Sequence, residues 1–193
     1  MQDEPGPDEA FTIRLAGRIR AEREGRQWPI AELAERSGVS RAMISKIERA
    51  EASPTAALLG RLSGAFGLTL STLLARAEDD AAGRVSRVAE QPLWRDPATG
   101  YLRRAVSPSG ANPELVCVDL PAGVRVAYPA ASFAVLRGQC IWVLSGALTF
   151  HEGEARHDLE AGDCLALGPP MDCAFVNPSE DTPCRYLVAL VRR

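Results

Sequence analysis

Two histidines, His151 and His157, and five cysteines, at 117, 140, 164, 173 and 184, are the side chains best suited to metal or redox chemistry in this 193-residue sequence. Two imidazoles exclude any site that draws three from one chain. Each histidine has acidic neighbours, in His151-Glu152-Gly153-Glu154 and His157-Asp158, which reads as exposed histidines around a hairpin tip. The cysteines show no CxxC spacing, and Val116-Cys117-Val118 typifies their apolar setting, so they read as buried, inert thiols. An odd cysteine count without an export signal points to reduced thiols in the cytoplasm. Residues 1–8 are acidic and proline-containing, unlike the basic-then-apolar start of a signal peptide. No apolar run approaches the roughly 20 residues that span a bilayer, so no membrane partner is expected.

The second candidate chemistry is cationic. Residues 30–48 read IAELAERSGVSRAMISKIE. The small Ala34 permits close helix approach, Gly38 suits a tight turn, and Val39 with Ile44 closes a wedge between two helices, which is a helix-turn-helix arrangement. The second helix then turns Ser40, Arg41, Ala42, Ser45 and Lys46 outward, short or basic side chains suited to the DNA major groove. A formal charge of −3 argues at first sight against such a partner. The charge is uneven, however. Residues 1–10 carry −4, residues 11–76 carry eleven basic and six acidic groups for a net of +5, and the remainder carries −4.

These residues need elements to hold them. Over residues 11–74 apolar side chains recur at intervals of three and four: Phe11, Leu15, Ile19; Ile30, Leu33, Ala34; Ile44, Ile47; Leu59, Leu62, Phe66; Leu70, Leu73, Leu74. That is amphipathic helix, five times over. Pro29 suits a first helical position, Ser40 a cap, Ser53-Pro54 a cap followed by a first-turn proline, and Gly38 and Gly67 helix ends with positive φ. Residues 76–87 lose periodicity around Glu78-Asp79-Asp80 and read as a linker or a frayed helix end. Beyond Val88, short β-branched and aromatic runs at 114–120, 139–144, 164–167 and 186–191 alternate with turn signals such as Ser145-Gly146, which predicts an antiparallel sandwich or barrel without helix.

Residues 15–74 resemble the phage-repressor-like, XRE-type helix-turn-helix family in GRIRAERE, the IAELAERSGVS turn, ISKIERAEASPT and LGRLSGAFGLTLSTLL. The resemblance implies a five-helix, lambda-repressor-like domain that binds operator DNA as a dimer, with Arg41, Ala42 and Lys46 at base-facing positions and Ser40, Ser45 and Arg49 placed for phosphate. Two departures stand out. Ala50 occupies a position where the family often has glycine, and a glutamine frequent in the second helix is missing.

The remainder resembles the cupin family, whose motifs are H-x-H-x4-E-x6-G and G-x5-P-x-G-x2-H-x3-N. Gly162 and Asn177 match the second motif, while Gly168, Pro170 and Cys173 replace its proline, glycine and histidine. Gly146 matches the first motif, Gln139 replaces its glutamate, and the two histidines become Ser132 and Ala134, or Phe133 and Val135 with spacing one shorter. A divalent metal needs several strong donors converging. This set offers at most one, so neither metal nor other cofactor is expected, and a cupin enzyme is disfavoured. Strand alternation from Gln139 puts Ile141 and Val143 on its face and Cys140, Trp142 and Leu144 on the other. An inward Gln139 implies a mainly apolar pocket with Ser132, Ala134, Gln139, Ile141 and Cys173 around it, either open to a small-molecule effector or filled as core. Trp142, facing outward, suits a dimer interface. A thiol sensor pairing Cys173 with Cys140 or Cys164 is the sharper alternative.

The sequence therefore predicts an α + β chain of two domains. Residues 11–76 form the helix-turn-helix domain, 77–86 a linker, and 87–193 an antiparallel cupin β-barrel. The expected activity is that of a cytoplasmic, non-enzymatic, homodimeric transcription regulator of double-stranded DNA. The alternatives are a cupin enzyme with a helical appendage and a constitutive repressor whose barrel only dimerises.

Overall fold

The computed structural model describes residues 7–77 and 84–192. Most of the expected linker, residues 78–83, and residues 1–6 lie outside the described residues. Five helices come first: α1 Pro7–Gly25, α2 Ile30–Ser37, α3 Arg41–Glu48, α4 Ala56–Phe66 and α5 Leu70–Ala77. The apolar periodicity becomes one core, with Leu33, Ile44, Leu59, Leu62 and Leu73 sealed from solvent. The α2 helix ends where its C-cap Gly38 takes φ 65° and donates its N–H to the Ala34 carbonyl at 2.9 Å. Ser40 then caps α3, its hydroxyl accepting from the Met43 N–H at 3.2 Å. Gly67 closes α4 at φ 71°. Two caps differ from expectation. Pro29 is the N-cap of α2 rather than its first helical residue, and α4 is capped by the Thr55 hydroxyl, not by Ser53. A residue whose side chain reaches the third N–H beyond it is needed, and Thr55 meets Leu58 at 3.4 Å.

Ala50 adopts φ 57°, the left-handed conformation that disfavours a Cβ. Ala50→Gly is expected to stabilise the fold by about 0.5–1 kcal/mol, the relief of strain exceeding the added freedom of the unfolded chain. Urea unfolding of the two proteins checks it.

The helices are also laced by ions. Arg23 bonds both Glu48 oxygens, at 2.7 and 2.8 Å, tying α1 to α3. Glu22, buried on α1, receives Arg18, Arg26 and, from α5, Arg76 at 2.7 Å. Burial by itself would raise its pKa, but the three guanidinia outweigh burial and hold the carboxyl at about 2 against an ordinary 4.5. A depressed carboxylate contributes stability that is complete above the unfolded pKa and lost as pH falls through the folded one. Folding stability should therefore drop by on the order of 2 kcal/mol between pH 4.5 and 2 through this group, allowing for solvent screening of the partly exposed arginines. Denaturant unfolding across that window should show a shallower fall in Glu22→Gln.

Ten strands follow: β1 Leu93–Arg95, β2 Leu102–Ala105, β3 Glu114–Leu120, β4 Arg125–Tyr128, β5 Leu136–Ser145, β6 Ala147–Glu152, β7 Ala155–Glu160, β8 Cys164–Ala166, β9 Cys173–Val176 and β10 Cys184–Arg192. They form a six-stranded sheet in the order β1-β2-β3-β10-β5-β8 and a four-stranded sheet in the order β4-β9-β6-β7, antiparallel throughout. The sheets face each other, Phe175 stacking on Tyr186 with ring centroids 5.5 Å apart. The result is a jelly-roll-like pair of sheets rather than a closed cylinder. A single 3-10 turn, Ala130–Phe133, interrupts the strand region where the sequence predicts no helix. No single helix among the described residues is long and apolar enough to cross a membrane.

The helical and sheet halves share one hydrophobic core. The sheet half also supplies a carboxylate to the start of each of the last two helices. Asp96 accepts from the Ala56 N–H of α4 at 3.4 Å, and Glu114 accepts from Thr69 and Thr72 at the start of α5, both at 2.7 Å. Negative charge is favoured at helix N-termini, so both contacts pull the halves together.

Candidate functional site

The α3 helix is held at both ends and leaves its outer face open. Ser40, Arg41, Ala42 and Lys46 are exposed, Ser45 is half-buried, and Ile44 and Ile47 face the core. The cap fixes the first turn, where Arg41 projects, and Val39 and Ile44 are buried in the wedge as expected. Among the described residues no carboxylate holds Arg41 or Lys46 in an ion pair. Arg49 differs. Its guanidinium bonds Glu51 at 2.7 and 2.8 Å and the Ser45 hydroxyl at 2.6 Å. Two residues expected to meet phosphate are thus clipped to each other and to an acid that the sequence reading passed over; the spacing Arg49-x-Glu51 was the available signal.

Two cavities bordered by the sheet half meet at Gln139. The inner one, about 40 Å³, is lined by Tyr101, Arg103, Tyr128, Ser132, Gln139 and Tyr186 below and by Gly60, Ser63 and Leu70 of the helices above. The outer one, about 470 Å³, is lined among others by Gln139, Phe150, Glu152, Met171 and Cys173. Gln139 faces inward, with Cys140 and Trp142 outward, as the alternation requires. The five expected pocket residues are not one cluster. Ser132 reaches the inner cavity from the 3-10 turn and Cys173 the outer one, while Ile141 is sealed core and Ala134 ends the 3-10 turn, neither lining a cavity. Arg103, Tyr101 and Tyr128 were missed. Only the pairing of Arg103 with the inward-facing Val118 reveals that this arginine points inside.

Among the described residues no three His, Cys, Asp or Glu side chains converge. The histidines are not at the hairpin tip. They stand half-buried on the flanking strands, His151 in β6 and His157 in β7, because register pairs Phe150 with His157 and leaves the turn to Gly153-Glu154. The thiols also divide. Cys173 and Cys184 are buried, Cys117 is half-buried, and Cys140 and Cys164 are exposed on the outer face of the six-stranded sheet. Burial, with Glu152 and Asp172 adding to it, pushes the Cys173 thiol up to about 12. It is protonated at neutral pH and a poor nucleophile, and it faces away from Cys140.

Helices and sheets together define a helix-turn-helix domain carried on an antiparallel jelly roll. Residues 19–73 match the helix-turn-helix family model HTH_3, so this stretch is a helix-turn-helix domain of that type. Over 60 residues the chain is 38% identical to the HTH-type transcriptional regulator SutR of Escherichia coli (strain K12), covering 31% of this chain and about a third, 34%, of that protein's length. The crystal structure of an HTH_3 family transcriptional regulator from Vibrio cholerae superimposes with a TM-score of 0.78 at 20% identity, over 96% of this chain and 99% of that one. At that identity the likeness concerns the fold, and it extends over both halves. Hydroxypropylphosphonic acid epoxidase from S. wedmorenis aligns at a TM-score of only 0.45 and 15% identity, over 93% and 97% of the chains, too distant a match to bear on chemistry.

Proposed function

We propose that the chain is a sequence-specific transcription regulator that acts on double-stranded DNA in the cytoplasm and has no catalytic role. Residues 11–76 bind the operator. Residues 87–193 sense a small molecule and join two copies, with 77–86 between the two domains. The observation that carries the reading is the exposed, unpaired Arg41–Ala42–Lys46 surface on a helix fixed by a cap and a buried wedge, within a segment of net charge +5. Arg41 and Lys46 read base edges. Ser40 holds phosphate, as do Ser45 and Arg49 once Arg49 leaves Glu51. For self-association, Cys117, Leu187, Trp142 and Cys164 lie in register across β3, β10, β5 and β8, and Trp142 is 48% exposed. An apolar row of this kind suits the same row on a second copy related by a two-fold axis.

Selection of bound sequences from a random duplex pool by the purified chain, repeated at two salt concentrations, tests the assignment. A recovered motif, preferably palindromic, whose affinity falls as salt rises supports it, since each neutralised phosphate steepens the salt dependence. A pool without enrichment overturns it.

A further inference from the structure

The inner cavity contains a fixed positive charge with nothing to neutralise it. Arg103 is half-buried, its Nε is sealed from solvent without a partner, and its hydrogen bonds within the protein go to neutral groups, the Ser71 hydroxyl of α5 at 2.7 Å and the Tyr101 hydroxyl. No carboxylate of the described residues pairs with it. Ser132, 6% exposed and lining the same cavity, also has a hydroxyl without a partner. The Tyr101 and Tyr128 hydroxyls lie 2.6 Å apart, so one donates to the other and the second keeps a proton to give. The cavity thus presents donors from Arg103, Ser132 and a tyrosine, against the single amide oxygen of Gln139. A guanidinium with a sealed, unpartnered Nε–H and no carboxylate beside it lacks its best partner, and the surrounding donors favour an anion.

We infer that this cavity is a binding site for a small carboxylate, roofed by the DNA-binding half. The inference rests on the sensing role proposed above and gives it a ligand class. A planar carboxylate matches the guanidinium fork. At about 40 Å³ the space takes roughly three waters, each needing about 10–15 Å³, or a head group of acetate size. Phe133, Leu136 and Gln139 border both cavities, so a short apolar tail extends past Gln139 into the outer one. Gly60 and Ser63 of α4 form the roof, and Arg103 is also the partner of Ser71, so an anion that recruits Arg103 competes with a contact holding α5. A ligand that binds the two arrangements unequally shifts the set of the helical half.

The test is titration of the full chain with sodium acetate and sodium butyrate at constant ionic strength, against acetamide and sodium chloride, followed by calorimetry and thermal unfolding. A saturable response to the carboxylates and none to acetamide is expected. Arg103→Lys keeps a cation but removes Nε, and should weaken binding about tenfold or more. Ser132→Ala removes only an orphaned hydroxyl, so it should fold as well as the parent and bind severalfold more weakly. An equal response to chloride, or carboxylate binding untouched by both variants, overturns the site. The duplex selection is performed without ligand. Failure of the carboxylate response with DNA selection intact therefore rejects this site alone, whereas failure of selection rejects the regulator reading.

Discussion

Arg41→Ala is expected to remove most of the chain's sequence preference while leaving weak, salt-sensitive attachment to DNA. The residue is the first of α3, directly after the Ser40 cap, so its direction is set by a hydrogen-bonded turn rather than by a mobile loop. In a helix-turn-helix the N-terminal residues of the second helix meet base edges. A guanidinium bidentate to guanine is worth about 1–3 kcal/mol of discrimination, so the ratio of operator to random-duplex affinity should fall by about 5- to 150-fold. Non-specific affinity should fall much less, because the other basic groups of the +5 segment remain. Arg41→Lys separates the two effects: it should keep the electrostatic affinity and lose the guanine preference. Competition binding against specific and random duplex at fixed salt measures both. An unchanged ratio in Arg41→Ala would move the reading surface elsewhere on the helical half.

Gly64→Ala should be the most damaging small substitution where the halves meet. A Cβ at Gly64 would stand 2.5 Å from the Ala131 carbonyl oxygen and 3.2 Å from the Ser132 Cα, both backbone atoms of the 3-10 turn. Backbone cannot swing aside as a side-chain tip can, so either α4 or the turn must lift. Overpacking of this kind costs about 1–3 kcal/mol, and it should be accompanied by faster hydrogen exchange around residues 130–134. The control is Gly17→Ala in α1, exposed and with nothing within 4 Å of the new methyl, which should gain about 0.5–1 kcal/mol from helix propensity. Urea unfolding of the pair should move the midpoint in opposite directions. Equal shifts would mean that α4 does not rest on the turn.

The same contact explains what was legible in the chain and what was not. Local chemistry was readable wherever one residue type is demanded by geometry. Gly38 and Gly67 mark left-handed helix ends, Ser40 caps α3, and alternation places Gln139 inside and Trp142 outside. That Thr55 caps α4 was not readable, because Ser53 is an equally good capping residue type and residue type alone does not say which of the two sits at the helix start. Ser132 was identified through the cupin motif as a pocket residue and lines the inner cavity with Gln139, but motif spacing carries no information about the 3-10 turn, pressed on a helix, that presents it. The spacing of Gly60 and Gly64, four residues apart on one face of α4, was a sign of close approach, yet its counterpart lies some seventy residues away. Arg103 is the clearest case. Arg103 and Arg104 are adjacent and chemically alike, and only strand register sends one inward.

The ends of the sheets carry a consequence for aggregation. The six-stranded sheet terminates in β1 and β8, each of three residues, and the four-stranded sheet in β7, which carries Arg156, Asp158 and Glu160, and in β4, which α4 covers. Short, charged or covered borders give a foreign strand little free ladder to extend. A protein rich in β-structure is thereby protected against open-ended, edge-to-edge polymerisation. The self-association proposed above is instead face-to-face, a closed geometry that stops at two copies.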